Sequence, residues 1–509
     1  MQKKKLLFWV LVVMAIMPFM ALFVHPAHAI DLNLFGSPVQ IMGYAQQTVS
    51  YGVPSENFFD TQRGFQQFLF QGLLEVNYSP HPNLKFFGSG KVNADWAYAI
   101  LRNDGDWTDK GFRDSRDKLY FFDDGRDLLN ELHVTWTPGD FFFRVGKQIV
   151  VWGETDGFRL MDQINPVDQR RGLGDVQFEN TILPLWLVRA EYRPPIKSSW
   201  LKELNLQLIF NPNAEFRGNE SIVPGNNVAG IWAPYVTTPL GGPYPFDFAY
   251  LGSFDEHIDK PNSMFEHKGM ELGFRVKSVI WDSIVTLNYF YGRDNDPVRN
   301  ALPLFPRMEI TPFDGRTVVH PAMEGYYPLF RFVGATFTKA FDSMTASFLG
   351  GVAPVLRLEA FYAFNNTFAT NINTFDQSDE FRWAVGVDWK VKIPFLNPRA
   401  YFTIMPQFYH RRIMDYPENF KLSGLKHDNY STTLLLSTTY FHNKLQPMIF
   451  WMRDITNHSD MFKFQVTWEQ SDHWKYTLGA LLIKGDRTGT GFQPLEHKDQ
   501  IFATICYRF

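Results

Sequence analysis

The side chains best suited to chemistry crowd into one stretch, Phe143 to Tyr192, where Glu154, Asp156, Asp168, Arg170, Arg171 and Glu179 follow one another. Mixed charges at this density can pair as arginine–carboxylate forks, either to hold a non-strand segment or to grip a solute. They cannot face hydrocarbon, where an Arg or Lys at the bilayer midplane costs about 2–4 kcal/mol. A lumen or an aqueous loop is their expected place. The other candidates carry less. Asp104, Asp106 and Asp109 could offer oxygens to a hard cation, but the spacing of a calcium loop and its closing Glu are missing, so a solvated loop is expected and no metal is assigned. The 13 His include no HExxH pair, and there is neither a G-x-S-x-G elbow nor a phosphate loop. Hence we assign no catalytic residue, no cofactor and no enzymatic activity. The single cysteine, Cys506, supports neither a disulfide framework nor a cysteine metal cluster.

The elements that position these residues alternate with period two. In Met461 to Trp468, Phe462, Phe464, Val466 and Trp468 take one face, and Lys463, Gln465 and Thr467 the other. The same rhythm runs through Leu204–Phe210, Leu272–Val276, Val285–Tyr291, Leu356–Tyr362, Trp383–Trp389, Ala400–Ile404 and Tyr476–Leu482. Repeated segments of about ten alternating residues are the mark of a transmembrane antiparallel β-barrel. Counting them gives about 16 strands, with 14 or 18 as alternatives. Short joints such as Ser79–Asn83, Thr137–Asp140 and Gln470–His473 read as turns at one end. Leu101–Arg126, Asn211–Lys268 and Arg293–Pro328 read as long insertions that are not strands and that lid or enter the lumen. The last ten residues place Ile501, Ala503, Ile505, Tyr507 and Phe509 on one face, and Cys506 on the lumen side. Such a closing strand with a terminal aromatic resembles the signal by which the barrel-assembly machinery recognises its substrates, which makes Tyr507 and Phe509 the assembly residues.

Composition agrees with this. Aromatics make up 17% of the 509 residues, with 50 Phe, while mean hydropathy is only -0.22. Aromatic girdles at two membrane interfaces call for such a mixture. Residues 1–29 read as a secretory leader: Lys3 to Lys5, an apolar run from Leu6 to Val24, then Ala27-His28-Ala29. The alternative is an uncleaved anchor, but Pro18 interrupts the run. Cleavage after Ala29 leaves residues 30–509 as the barrel. Without the three leader lysines the net charge falls from -4 to -7, which argues against a nucleic-acid partner.

The block around the charges also carries motifs. Gly146-Lys147-Gln148, Trp152-Gly153-Glu154, Ile164-Asn165-Pro166, Asp168 and Leu183-Pro184 stand in order, with Gly43-Tyr44 and Ser50-Tyr51-Gly52 near the start. This pattern resembles the proteobacterial outer-membrane family grouped as domain of unknown function 1302. The resemblance implies a barrel in the outer membrane of a Gram-negative bacterium. It also implies a resistance-nodulation-division (RND) pump and a periplasmic companion protein as partners, beside outer-membrane lipid. Movement of a hydrophobic or lipid-like compound would follow. Two alternatives stay open: a sleeve for a periplasmic or electron-transfer partner, and a general diffusion porin. The aromatic insertion around Trp232, Tyr235, Tyr244, Phe246, Phe248 and Tyr250 favours an apolar contact surface and a plugged pore.

Overall fold

Strands with one apolar and one polar face can bury neither in a bilayer unless the sheet closes, because an open edge leaves backbone groups unpaired in hydrocarbon. The computed structural model shows that closure. It describes residues 30–53, 63–102, 105, 120–121, 125–155, 157–170, 181–220, 256–261, 264–265, 269–301, 308–313, 316–321, 323–344, 351–370, 374–485, 492, 495–496 and 498–509. The strands are β1 (Ile30–Leu34), β2 (Ser37–Gly52), β3 (Gly64–His81), β4 (Leu84–Asp95), β5 (Leu129–Trp136), β6 (Phe141–Gln148), β7 (Leu185–Tyr192) and β8 (Leu201–Asn211). Then come β9 (Glu256–Asp259), β10 (Glu271–Ile280), β11 (Ser283–Arg293), β12 (Val298–Ala301), β13 (Met308–Phe313), β14 (Arg316–Pro321), β15 (Met323–Tyr326) and β16 (Leu329–Ala340). The last are β17 (Val355–Ala369), β18 (Phe375–Val391), β19 (Phe402–Ile413), β20 (Asp428–Ser437), β21 (Leu445–Asp454), β22 (Ser459–Glu469), β23 (Trp474–Lys484) and β24 (Gln500–Arg508).

Eighteen of these form one antiparallel barrel, closed where β2 pairs with β24, and β1 is an extra strand laid antiparallel along the start of β2. The count is 18, the upper end of the expected 14–18. The strands most easily missed are β5, β6 and β7, only 8 residues each, whose inward positions carry Glu131, His133, Arg144 and Glu191. The start of β2, the end of β24 and the short turns lie at one end, as at Pro82-Asn83 and Trp281-Asp282, while the long connections lie at the other. Within those connections, Arg293–Pro328 is not strand-free as expected. β13 and β14 pair as a hairpin, and β12 and β15 form a small sheet with β9.

The outward face is the apolar set read from sequence: Leu208, Leu272, Phe274, Leu287, Leu358, Phe464, Val466 and Leu478 are all exposed. Aromatic rings gather at the turn end, including Phe141 with Tyr192 at 4.8 Å and Trp474 with Tyr507 at 4.9 Å. Cys506 is buried on the lumen side, between β2 and β23. The inward face is not uniformly polar, however. Phe290, Phe330, Phe332 and Phe361 point into the lumen and are buried, because a segment of the chain packs on them. Among the described residues no helix is long and apolar enough to cross a membrane.

Candidate functional site

A barrel of 16–18 strands leaves an aqueous channel unless something fills it. Here the described part of the connection from β6 to β7, residues 149–155 and 157–170, enters it. Its root is shaped by Gly146, at φ +133°, where a Cβ would stand 2.1 Å from the Leu132 carbonyl oxygen, so only glycine fits. Asn165 staples the neck: its Oδ1 accepts from the Val150 amide at 2.8 Å, and its Nδ2 donates to the carbonyls of Leu183 (2.9 Å) and Gln148 (3.3 Å). The Leu183 amide donates to the Pro166 carbonyl at 2.8 Å. Gln148, fully buried, donates to Leu187 at 3.0 Å.

From this neck the chain turns inward. Trp152 is fully buried, and its Nε1 donates to Gln207 Oε1 at 2.7 Å on the lumen face of β8. The amides of Trp152 and Gly153 both donate to Asp162 Oδ1, at 2.6 and 2.8 Å. A Cβ on Gly153 would stand 2.8 Å from Asp162 Oδ2, so a larger residue there would have to displace the carboxylate that holds the turn. On the far side Glu359 of β17, itself buried, accepts from the amides of Glu154 and Met161 (3.2 Å) and from Thr155 Oγ1 (3.4 Å). Arg357 donates to the Glu154 carbonyl and to Asp388 at 2.5 Å. Carboxylate and guanidinium thus take up the Glu154 and Met161 amides and the Glu154 carbonyl, which water would otherwise solvate.

The wall has recesses for this segment. Gly273 of β10 leaves room for the Trp152 indole, since a Cβ there would lie 2.9 Å from Cη2. Gly334 of β16 does the same for Met161. Val150, Trp152, Leu160, Met161 and Ile164 pack with Phe290, Phe332 and Phe361 into one apolar cluster. Phe158 stacks edge-on against Tyr409 of β19 at 4.9 Å and joins a second lumen cluster containing Phe450, Met452, Met461, Leu481 and Ile483. Gly157, at φ +92°, lies against Thr433, Phe450 and Met452 of β20 and β21. In the closed order β21 is ten strands from β6 one way and eight the other, so the segment reaches the opposite wall.

The motif charges do not act as one group. Arg170, buried, pairs with Asp168 (2.8 Å) and with Asp127 (3.1 Å), and Arg217 also holds Asp127 at 2.5 Å. Burial is the largest influence on the Asp127 carboxyl and pushes it up, yet the two guanidiniums together outweigh this and hold it below the ordinary range. Asp168 also bridges to Glu220 of the next connection. Lys147, buried, lies 3.9 Å from Glu215, which accepts from Trp186 Nε1. Glu154 stands apart, at Glu359 and Arg357. Asp156, Arg171 and Glu179, the aromatic insertion at Trp232–Tyr250, the acidic cluster at Asp104–Asp109 and the leader lie outside the described residues. Among the described residues no His, Cys, Asp and Glu group could hold a metal. Sequence reasoning missed Asp162, Gln207 and Glu359. The signal for Glu359 was present, as a charged inward pair, Arg357 and Glu359, inside an otherwise apolar alternation.

Residues 10–216 match the family described as protein of unknown function (DUF1302). No curated protein matches the chain. Among solved structures the chain is similar to Pseudomonas aeruginosa OccK2 (OpdF), in complex with glucuronate, at 8% identity over 92% of this chain and 98% of that one, TM-score 0.46. Acinetobacter baumannii OccAB4 gives 10% identity over 92% and 98%, TM-score 0.46. Salmonella typhi OmpF, in complex with daunomycin, gives 10% identity over 94% and 100%, TM-score 0.38. The motifs that build the inward segment, from Gly146 to Pro184, all lie within the family match, so over residues 10–216 the chain matches the DUF1302 family, and its fold is an 18-strand antiparallel barrel.

Proposed function

We propose that this protein is an outer-membrane channel kept in a restricted state by the inward segment of residues 149–155 and 157–170, and that it handles a hydrophobic or lipid-like compound. The observation that carries the reading is Phe158, which joins the plug cluster to the apolar lumen surface of β20–β23. Phe450, Met452, Leu481 and Ile483 are buried in the cluster that Phe158 joins, and a segment that moved would turn this inward apolar surface, of no use to a water-filled diffusion pore, toward an apolar solute. Partnership with an RND-type pump and a periplasmic companion, and assembly by the barrel-assembly machinery, rest on the resemblance. Leader cleavage after Ala29 rests on the sequence; intact mass of the membrane form tests it, and a mature chain retaining Met1 overturns it.

Planar-bilayer recording tests the channel. The wild type should conduct little, and Glu359→Leu, which strips the inward turn of its carboxylate, should conduct markedly more while remaining heat-modifiable. Liposomes carrying the variant should also pass an apolar dye faster than a polar one of equal size. A wild type with large, steady, unselective conductance would instead favour the general diffusion porin.

A further inference from the structure

Below the plug, at the turn end of the lumen, a cavity of about 520 Å³ opens on the wall made by β3 to β6. Its size lies within the range of ligand pockets, roughly 300–1,000 Å³. Lys85, Arg144 and His133 line it with Phe87 and Phe142, and Glu131 is the one carboxylate among them. Arg144 is set in place by uncharged partners, with Glu131 and Glu191 near enough to act on it but neither in ion-pair contact. Its Nε donates to Thr135 Oγ1 at 3.0 Å, and its guanidinium lies 5.3 Å from the Phe142 ring centre. The neighbouring Arg189, also on that ring at 5.0 Å, is committed to Glu191. Neither Arg144 nor Lys85 makes an ion pair among the described residues. Glu131 spends one oxygen on the Ile149 amide, at 3.1 Å, at the root of the inward segment.

The cavity therefore presents two cations that lack a direct ion pair, against one partly engaged acid, beside flat ring surface. Phe87 and His133 are stacked at 5.0 Å with their planes 25° apart, and His133 is buried. Two cations with donor groups suit a carboxylate, and the rings offer apolar area that an inorganic ion cannot use. The geometry points to a binding site for a small aromatic carboxylate on the lumen wall, lined by Lys85, Phe87, His133, Phe142 and Arg144. The site goes beyond the channel reading, since it exists whether or not the plug moves.

Calorimetry on the folded, full-length barrel in detergent tests it, with no transport required, so the site and the channel reading stand or fall separately. Benzoate should bind saturably, benzylamine should not, and inorganic phosphate should bind roughly tenfold more weakly or worse. Lys85→Gln with Arg144→Gln should weaken benzoate by about tenfold or more. Lys475→Gln, on the lumen face of β23 four strands along the wall from β4, should leave it unchanged. Should the double variant fail to fold, Lys85→Gln alone, at an exposed position, should still weaken benzoate. A wild type that binds no benzoate overturns the site, as does phosphate binding equal to benzoate. So does a folded Lys85 variant, single or double, with unaltered affinity.

Discussion

Trp152 Nε1 donates to Gln207 Oε1 at 2.7 Å, and Gln207 Nε2 in turn donates to Glu191 Oε1 at 2.8 Å. A plug residue is thereby continuous with the polar network of the wall, where Arg189, Arg193 and Asn205 also hold Glu191. Replacing Trp152 by Phe should keep most of the packing and lose the hydrogen bond, worth about 1 kcal/mol. Replacing it by Ala should cost about 3–5 kcal/mol of plug packing. Protease access to residues 149–184 and single-channel conductance should rise in the order wild type, Trp152→Phe, Trp152→Ala. Equal values for all three would show that the indole does not hold the segment.

The recess at Gly273 gives an independent probe, since the substitution lies on the wall and leaves the plug sequence untouched. Gly273→Val would place carbon within 2.9 Å of the Trp152 ring, and overpacking of this kind costs about 1–3 kcal/mol. The barrel strands keep their pairing, so folded yield should persist while conductance rises. A variant with wild-type conductance would mean that the indole is accommodated elsewhere.

The Asp127–Arg170–Arg217 knot should respond to acid with a defined sign. Because the folded Asp127 carboxyl titrates below its ordinary value, its stabilisation is fully present above the unfolded value near about 4 and is lost as the pH falls through the folded value. Pepsin should spare the segment near pH 4 and begin to cut it only below that, if the knot holds it. Arg170→Gln removes one guanidinium and should move the onset of cutting to higher pH. An onset that is the same in variant and wild type would detach the knot from the segment's order.

At the seam, Phe509 exchanges two backbone hydrogen bonds with Gly43, its amide to the Gly43 carbonyl at 3.0 Å and its carbonyl from the Gly43 amide at 2.9 Å. A Cβ on Gly43 would stand 2.2 Å from the Leu73 carbonyl oxygen and 3.0 Å from the Phe509 ring, so the closing strands meet only over glycine. Deleting Phe509 should lower the heat-modifiable fraction in outer membranes severalfold. Undiminished folded yield would assign assembly to other residues of β24.

The sequence by itself determined the barrel. Period-two alternation is a local property of each strand, and a bilayer converts it into closure because no edge can be left unpaired in hydrocarbon. Leu478 outward and Cys506 inward were legible for that reason. The motifs from Gly146 to Pro166 were legible as a block, and so was the need to keep Arg170 from lipid. The tertiary structure alone decided what the block does. Asn165 meets Leu183 across a neck, Glu154 parts from Arg170 to join Glu359 some 205 positions away, and inward Phe290, Phe332 and Phe361 become a dry seat instead of a breach in a polar lumen. Those pairings depend on which strands face each other across the barrel. That is fixed by the closed order and register of all 18 strands together, and no single segment encodes it.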